Sequence, residues 1–587
     1  MDKKSSKSTP TVRHDRTKKR KFYGNRFESA GEESSSSSSR DTSPSSRPST
    51  SKLKLQTSAQ FKPDIKRDFT YVLLEFFTVF NFLSTIVKCT NCDSDVHFDM
   101  CGLRGLGFKI KISCGKCPDK MVNSSPYIDK AFEVNRRTVF AMRAIGIGYS
   151  GLKLFCGLMD LFPPVAKSFC SSLNDLIRNA VQSTADIVMN KAALEELKET
   201  REKKIFEDEN GIAASGDGSW MKRGFTSLYG IVAMIGHESG KVIDVIIKSA
   251  YCKVCELMEK KVGTAEYDDY INEHWPDCKA NHDGSSGMME GTGTVQLFQR
   301  SVETRGLKYL YFIGDGDSKT FKQVADAKPY GDDCIIKKKE CVGHVGKRMG
   351  RRLRELKKKN KGLGGKGKLT GKEIDKLSSY YGKAIRDHSD SVEGMQNAVW
   401  ATFYHRASTK TKPQHHLCPT GPASWCDWQK AKSTGEKYVY KPGLPADVID
   451  AIKPIYEDLT NADLLERCMG AYTQNSNESF NQLVWKIAPK SKPGSSVIVE
   501  TATYMSAMIF NEGYNSVMNA MQAMGITLGQ HCEAECEQRD AQRVAIAEER
   551  IKKSTKEFRI ELRRARLKAQ DEWEQEEGQF YGAGIAD

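Results

Sequence analysis

No stretch of this chain is both long and apolar enough to span a bilayer. Its most hydrophobic run, "YVLLEFFTVFNFLSTIV" at 71–87, carries Glu75 and Asn81 and falls short of the roughly 20 apolar residues that a spanning helix needs. The run is expected to be buried soluble structure, with no membrane as a partner. The opening "MDKKSSKSTPTVRHDRTKKRKF" lacks the apolar centre of a secretory signal, so the expectation is a reducing cell interior without disulfides. Residues 1–68 are rich in Ser, Lys and Arg and poor in large apolar side chains. Such a segment cannot offset the entropy of ordering and reads as a disordered basic tail. Within it, "RTKKRKF" at 16–22 fits a nuclear-import signal and gives a nuclear expectation; a solvated basic tail has the same composition.

Acid is nearly missing from residues 347–372, where Glu355 is the single carboxylate. Together with a net charge of +15, this favours an anionic partner, and nucleic acid is the first candidate. The stretch "VGKRMGRRLRELKKKNKGLGGKGKLTGK" reads as a helix opening into a Gly/Lys loop. Lys347, Arg348, Arg351, Arg352, Arg354, Lys357, Lys358 and Lys359 are its candidate contacts to a DNA phosphate backbone, with a merely solvated face as the alternative.

Cysteine, by contrast, is plentiful, and the 17 residues are grouped. "CTNC" at 89–92 and "CGKC" at 114–117 are separated by 21 residues, the spacing of a zinc ribbon. Two tight turns can aim Cys89, Cys92, Cys114 and Cys117 at one tetrahedral ion; unmetallated buried thiols are the alternative. "CKVC" at 252–255 with "HWPDC" at 274–278 supplies Cys252, Cys255, His274 and Cys278, a three-thiolate, one-imidazole set. "HHLCPTGPASWC" supplies His415, His416, Cys418 and Cys426. These form a site by themselves or complete one with Cys341 and His344, and spacing does not decide between the two. Zinc in any of these sets would be structural.

Periodicity and punctuation divide the rest. A zinc-ribbon-like module over 69–125 precedes a helical region over 126–205, which is either a DNA reader or a plain packing layer. Residues 206–334 read as strand, strand, strand, helix, strand, with a Cys/His insert at 252–278. A mainly helical basic insertion follows over 335–465, then a return to the core with further helices over 466–525 and a charged helical tail over 526–587. The class is α/β.

Three acids fit this order. Asp217 in "SGDGSW" and Asp315 in "GDGDS" stand where the first and last strands are expected to stop at turns. Glu478 lies in "TQNSNESFNQLVW", on a helix whose Phe480, Leu483 and Val484 share an apolar face. Three carboxylates at one sheet edge suit a pair of Mg²⁺ or Mn²⁺ ions, hard cations that prefer oxygen. Such a pair serves in-line displacement at a phosphodiester. Asp317 is the alternative to Asp315, because a two-residue slip exchanges them, and one of the two can instead cap the helix "SKTFKQVAD".

With these residues in view, the sequence resembles a Mutator-like DDE transposase of the stand-alone animal branch. The resemblance rests on "GDGSWMKRGFTSLYG", "GDGDSKTF" followed by "ECVGHVGKRMG", "LTGKEIDKLSSYYGKAIR" and "TQNSNESFNQLVWK", across about residues 70–525. It implies a ribonuclease H-like catalytic core interrupted by an α-helical insertion, with metal-dependent cleavage at the terminal inverted repeats of a transposon. Strand transfer to target DNA by a homo-oligomer would follow. It also implies Asp217, Asp315 and Glu478 as the metal ligands, and a positioning role for Cys341 and His344. A host-adopted DNA-binding scaffold without catalysis, or a nuclease without strand transfer, remains the alternative.

Overall fold

A computed structural model of the chain describes residues 50–56, 63–222, 227–316, 318–492 and 494–554, with 561 and 564. In chain order the described strands are β1 (Ile65–Lys66), β2 (His97–Arg104), β3 (Gly107–Ser113), β4 (Lys120–Asn123), β5 (Tyr127–Ile128), β6 (Ala131–Phe132), β7 (Gly211–Trp220), β8 (Tyr229–Gly236), β9 (Val242–Ser249), β10 (Lys308–Gly314), β11 (Lys337–Glu340) and β12 (Leu528–Gly529). The central sheet has five strands in the order β11-β10-β7-β8-β9. β8 runs antiparallel to both β7 and β9, whereas β10 is parallel to β7 and β11 is parallel to β10. The fold is thus mixed α/β.

The strands are apolar on both faces because helices cover both. Alternate residues of β8 enter different cores. Ile231, Ala233 and Ile235 pack with the helix Ser496–Glu512 and most of the long helix Lys167–Glu202, while Val232 and Met234 pack with Leu297 and Phe298 of the helix Met288–Arg305. Polar anchors fix these layers. The Asn511 amide accepts from Val242 N at 2.8 Å and donates to Val242 O at 2.7 Å. Buried Lys241 lies between Glu512, at 3.0 Å, and Glu195, at 2.7 Å.

The zinc-ribbon-like module is a three-stranded antiparallel sheet, β2-β3-β4. After β11 the chain builds a helical body with its own core, in which Met349, Leu353, Leu377, Tyr381, Phe403, Ile452, Tyr456 and Leu465 are buried together. The chain then re-enters the sheet layer through the helix Asn475–Ile487.

Several expectations change. The run 71–87 is not buried: in the helix Phe76–Ile86 only Phe76 is buried, and Leu73 and Phe82 are 76% and 64% exposed. Its apolar residues surround the helix, and the small sheet beneath receives one side only, through Phe76 on Phe108 and Phe80 on Phe98. Residues 50–56 are helical rather than tail, with Lys54 buried 3.6 Å over the Phe510 ring, and β1 pairs with β12. Both contacts span more than 450 residues, so local composition cannot reveal them. Residues 1–49, with the import-like run, residues 57–62 and Asp317 lie outside the described residues. The core also runs past residue 334: "KKKE", with no apolar alternation, is the edge strand β11. Among the described residues no single helix is long and apolar enough to cross a membrane. The pair Glu133–Ala144 and Tyr149–Leu158 meets that test only together, across a 114° bend.

Asp244 gives a direct test of how the helix Met288–Arg305 is held. It accepts from Arg300 at 2.9 and 2.8 Å and from Arg305 at 3.2 Å. Asp244→Ala leaves Arg300 with Val245 O and Arg305 with Asp186 and Asn190 and is expected to destabilise the chain by about 1–3 kcal/mol, seen as a lowered thermal midpoint. An unchanged midpoint would contradict the clamp.

Candidate active site and metal centres

β7 outlasts its parallel neighbour. Pairing with β10 ends at Ile313 opposite Ser215, while β7 continues antiparallel to β8 as far as Trp220. Extending that register by two residues sets Asp315 level with Asp217, on the same face by the period-two alternation of strands. Asp217 therefore sits inside a strand, paired with Ala233, and not at a terminal turn as expected. The opening beside it arises because β10 has stopped.

The helix Asn475–Ile487 and the residue that caps it close this opening with amides. Gln474 donates to Gly216 O at 2.8 Å and its Oε1 lies 3.2 Å from His344 Nδ1. Asn477, fully buried, donates to Ser215 O at 3.1 Å and accepts from the Ser215 hydroxyl at 2.6 Å. Asn481 donates to Asp217 Oδ2 at 2.7 Å, and the Trp485 indole donates to Ser219 Oγ at 2.7 Å. These residues escaped the sequence reading. Their signal is present: hydrogen-bonding side chains at 474, 477, 481 and 485 recur at helical spacing, beside the apolar face of Phe480 and Val484, with Asn477 and Asn481 buried alongside it. Glu478, on the same helix, is exposed, with Oε1 3.5 Å from His344 Nε2.

Charge ties the acids together. Burial, followed by the like charge of Asp315, lifts the Asp217 carboxyl to about 7; Glu478 adds to the rise and His344 opposes it. His344 is raised to about 9, chiefly by its hydrogen bond with Cys341, with Asp315 contributing. Burial opposes ionisation of the Cys341 thiol, but the bond from His344 and backbone donors bring it below its ordinary value. Asp217, Asp315, Glu478 and His344 thus share one electrostatic neighbourhood.

The basic helix Val342–Lys359 forms one side of it. An open cavity of about 450 Å³ is lined by Asp315, Gly316, His344, Lys347, Arg348 and Arg351. Arg348 turns inward to buried Glu340 and packs so closely under Gly316 that a Cβ there would lie 2.4 Å from its guanidinium. Arg352 pairs with Asp458 at 2.8 Å, Arg354 with Asp375, and Arg351 with Glu355 at 3.8 Å. Lys347, Lys358 and Lys359 are exposed, and Lys357 is half-buried.

Three Cys/His groups lie elsewhere, each with all its donor atoms within 4.8 Å of one another: Cys89, Cys92, Cys114, Cys117; Cys252, Cys255, His274, Cys278; and His405, His415, Cys418, Cys426. The three carboxylates are not among these tight groups. Four thiolates, three with one imidazole, and two with two are the donor sets of structural zinc, so each group can hold zinc. The third set corrects the expectation. Its fourth member is His405, 3.7 Å from Cys418 Sγ, and neither His416 nor Cys341 and His344, which lie at the sheet beside Gln474. His405 was overlooked because it closes the helix Val392–Ala407, where it read as an ordinary helical residue. Purified protein is expected to carry three zinc ions by elemental analysis; His405→Ala removes one and Cys341→Ser removes none. Retention of all three in His405→Ala would refute this assignment.

Against known proteins, the model of one family, described as Mutator-like transposase, matches residues 70–426. The match takes in Asp217, Asp315, Cys341, His344 and all three Cys/His groups, and stops short of Glu478. No individual curated protein matches the chain. With more than half of its residues accounted for in this way, the chain belongs to the Mutator-like transposase family, which makes it a DNA-binding, DNA-processing enzyme.

Proposed function

We propose that this protein is a DDE transposase that cleaves phosphodiester bonds at the inverted repeats ending a transposon and joins the freed 3′ hydroxyls to target DNA. The observation that carries the reading is the electrostatic grouping of Asp217, Asp315 and Glu478, acids from three distant segments, at the lip where β10 stops beside β7. The sheet order supports a ribonuclease H-like core: three antiparallel strands, then two parallel ones added on the side of the first, with a helical body inserted before the last acid. Membership of the stand-alone animal branch, nuclear localisation and a homo-oligomer able to hold two DNA ends together are parts of the same proposal.

The donor chemistry suits Mg²⁺ or Mn²⁺. All three candidate ligands are carboxylates, the hard oxygen donors that such ions take, and the Asp217 carboxyl, raised by burial and then by the charge of Asp315, would be eased into its ionised form by a cation. A pair of divalent ions bound there would activate the attacking oxygen and neutralise the leaving one. The chain's own residues do the rest. Asn481 holds Oδ2 of Asp217 and so fixes the plane of that carboxylate. Gln474 orients His344, which at about 9 keeps its proton at neutral pH and faces Glu478 and Asp315. Lys347 and Arg351, on the wall of the same cavity, are placed to grip DNA phosphates beside the acids.

Glu478→Gln and Asp217→Asn are expected to abolish cutting of DNA that bears the cognate repeats while leaving gel-shift affinity within a few-fold. Wild-type cutting by either variant would refute the assignment; cuts without joined products would mark a nuclease. Asn481→Ala is expected to weaken Mn²⁺ binding, by calorimetry on DNA-free protein, by about 10- to 100-fold, and unchanged binding would remove its orienting role.

A further inference from the structure

The helical body carries a second cavity, of about 280 Å³, that no step above uses. It lies between the helices Gly371–Asp387 and Val392–Ala407 and the loop that bears Cys418 and Cys426. Small apolar side chains line its inner part, Ala384 and Ala401, which are buried, and Ala398, which is half-buried. Two aromatic rings stand at its edge: Tyr380 and Trp425, with centroids 6.3 Å apart and planes tilted by 30°. Asn397 and Asp387 add hydrogen-bonding groups at the rim, and Lys383 adds a cation. Small side chains beside aromatic rings leave room for a planar ring, and rim donors and acceptors fit a ring with polar edges.

Trp425 is 44% exposed, an unusual state for so large a side chain, yet it is held firmly. It immediately precedes Cys426, and its ring meets the edge of His405 at 5.1 Å, so two members of the third Cys/His group brace it. A rigid, half-exposed indole is a platform whose ordering has already been completed before a ligand arrives. Lys376, 5.6 Å over the Tyr380 ring, places further positive charge next to it. Aromatic faces flanked by cations are how proteins take up unstacked bases.

We infer that this cavity receives the base of an unpaired DNA nucleotide, stacked on Trp425 and Tyr380, with its edge read by Asn397 and Asp387. The inference rests on the DNA-processing role of the chain but not on the identity of its catalytic acids. Unpaired nucleotides are what strand opening exposes, and a fully paired duplex offers no such ring.

The test uses full-length, zinc-loaded protein with no other divalent cation, and duplex DNA carrying one bulged 5-iododeoxyuridine. Irradiation at long wavelength is expected to place the adduct on Trp425 or Tyr380, identified by mass spectrometry, whereas the same base in a fully paired duplex gives no adduct there. Trp425→Ala is expected to weaken binding of the bulged DNA by about 5- to 150-fold and to leave duplex affinity and zinc content unchanged. Trp425→Phe is expected to restore most of the loss. Adducts mapped only elsewhere, or bulged DNA bound by Trp425→Ala as tightly as by wild type, would overturn the inference. Because no cleavage is read, such a result in protein that still cuts DNA refutes this site alone, and loss of cutting in Glu478→Gln leaves it untouched.

Discussion

The pairing of β10 with β7 is the constraint from which the site follows. A parallel ladder that ends at Ile313 and Ser215 sets Asp315 level with Asp217, on one face, when its register is carried on by two residues. Shifting the register by one residue would turn one aspartate to the opposite face of the sheet. Buried apolar groups, including Phe312 and Ile313 of β10 and Ile212 and Ala214 of β7, hold that register. The acids are thus placed by apolar packing, which is strong enough to keep like charges together that would otherwise move apart. The Asp217 carboxyl is raised first by this burial and then by the like charge of Asp315.

A second requirement is met by the helix Asn475–Ile487. It arrives after a helical body of more than a hundred residues and still docks on β7 with defined geometry. Amides account for this better than apolar contacts do. Asn477 and Gln474 bond to the backbone of Ser215 and Gly216, next to Asp217, so the helix can sit in one register only. Phe480 and Val484, both fully buried, supply the apolar half of the contact. Glu478 is delivered to the acids by this double attachment.

Much of this was legible in the sequence. The order strand, strand, strand, helix, strand follows from continuous apolar runs, and the first two Cys/His groups follow from local spacing. Of the three acids, Asp217 is expected at a turn and instead lies within β7, paired with Ala233. What escaped was non-local. The strand β11 has the sequence "KKKE" and is a strand only because β10 lies beside it. His405 joins a metal-ligand set across a helix end, and Lys54 is buried by a ring at position 510. The apolar run at 71–87 misled in the other direction: hydrophobicity reports what a segment tends to bury, and this one has too little neighbouring surface to do so.

The central claim is that three distant acids form one divalent-cation site. The most direct measurement is anomalous diffraction at the manganese edge from crystals of the protein soaked in Mn²⁺. The account predicts manganese peaks coordinated by Asp217, Asp315 and Glu478. Manganese bound only elsewhere, with these three side chains left without an ion at saturating Mn²⁺, would contradict it.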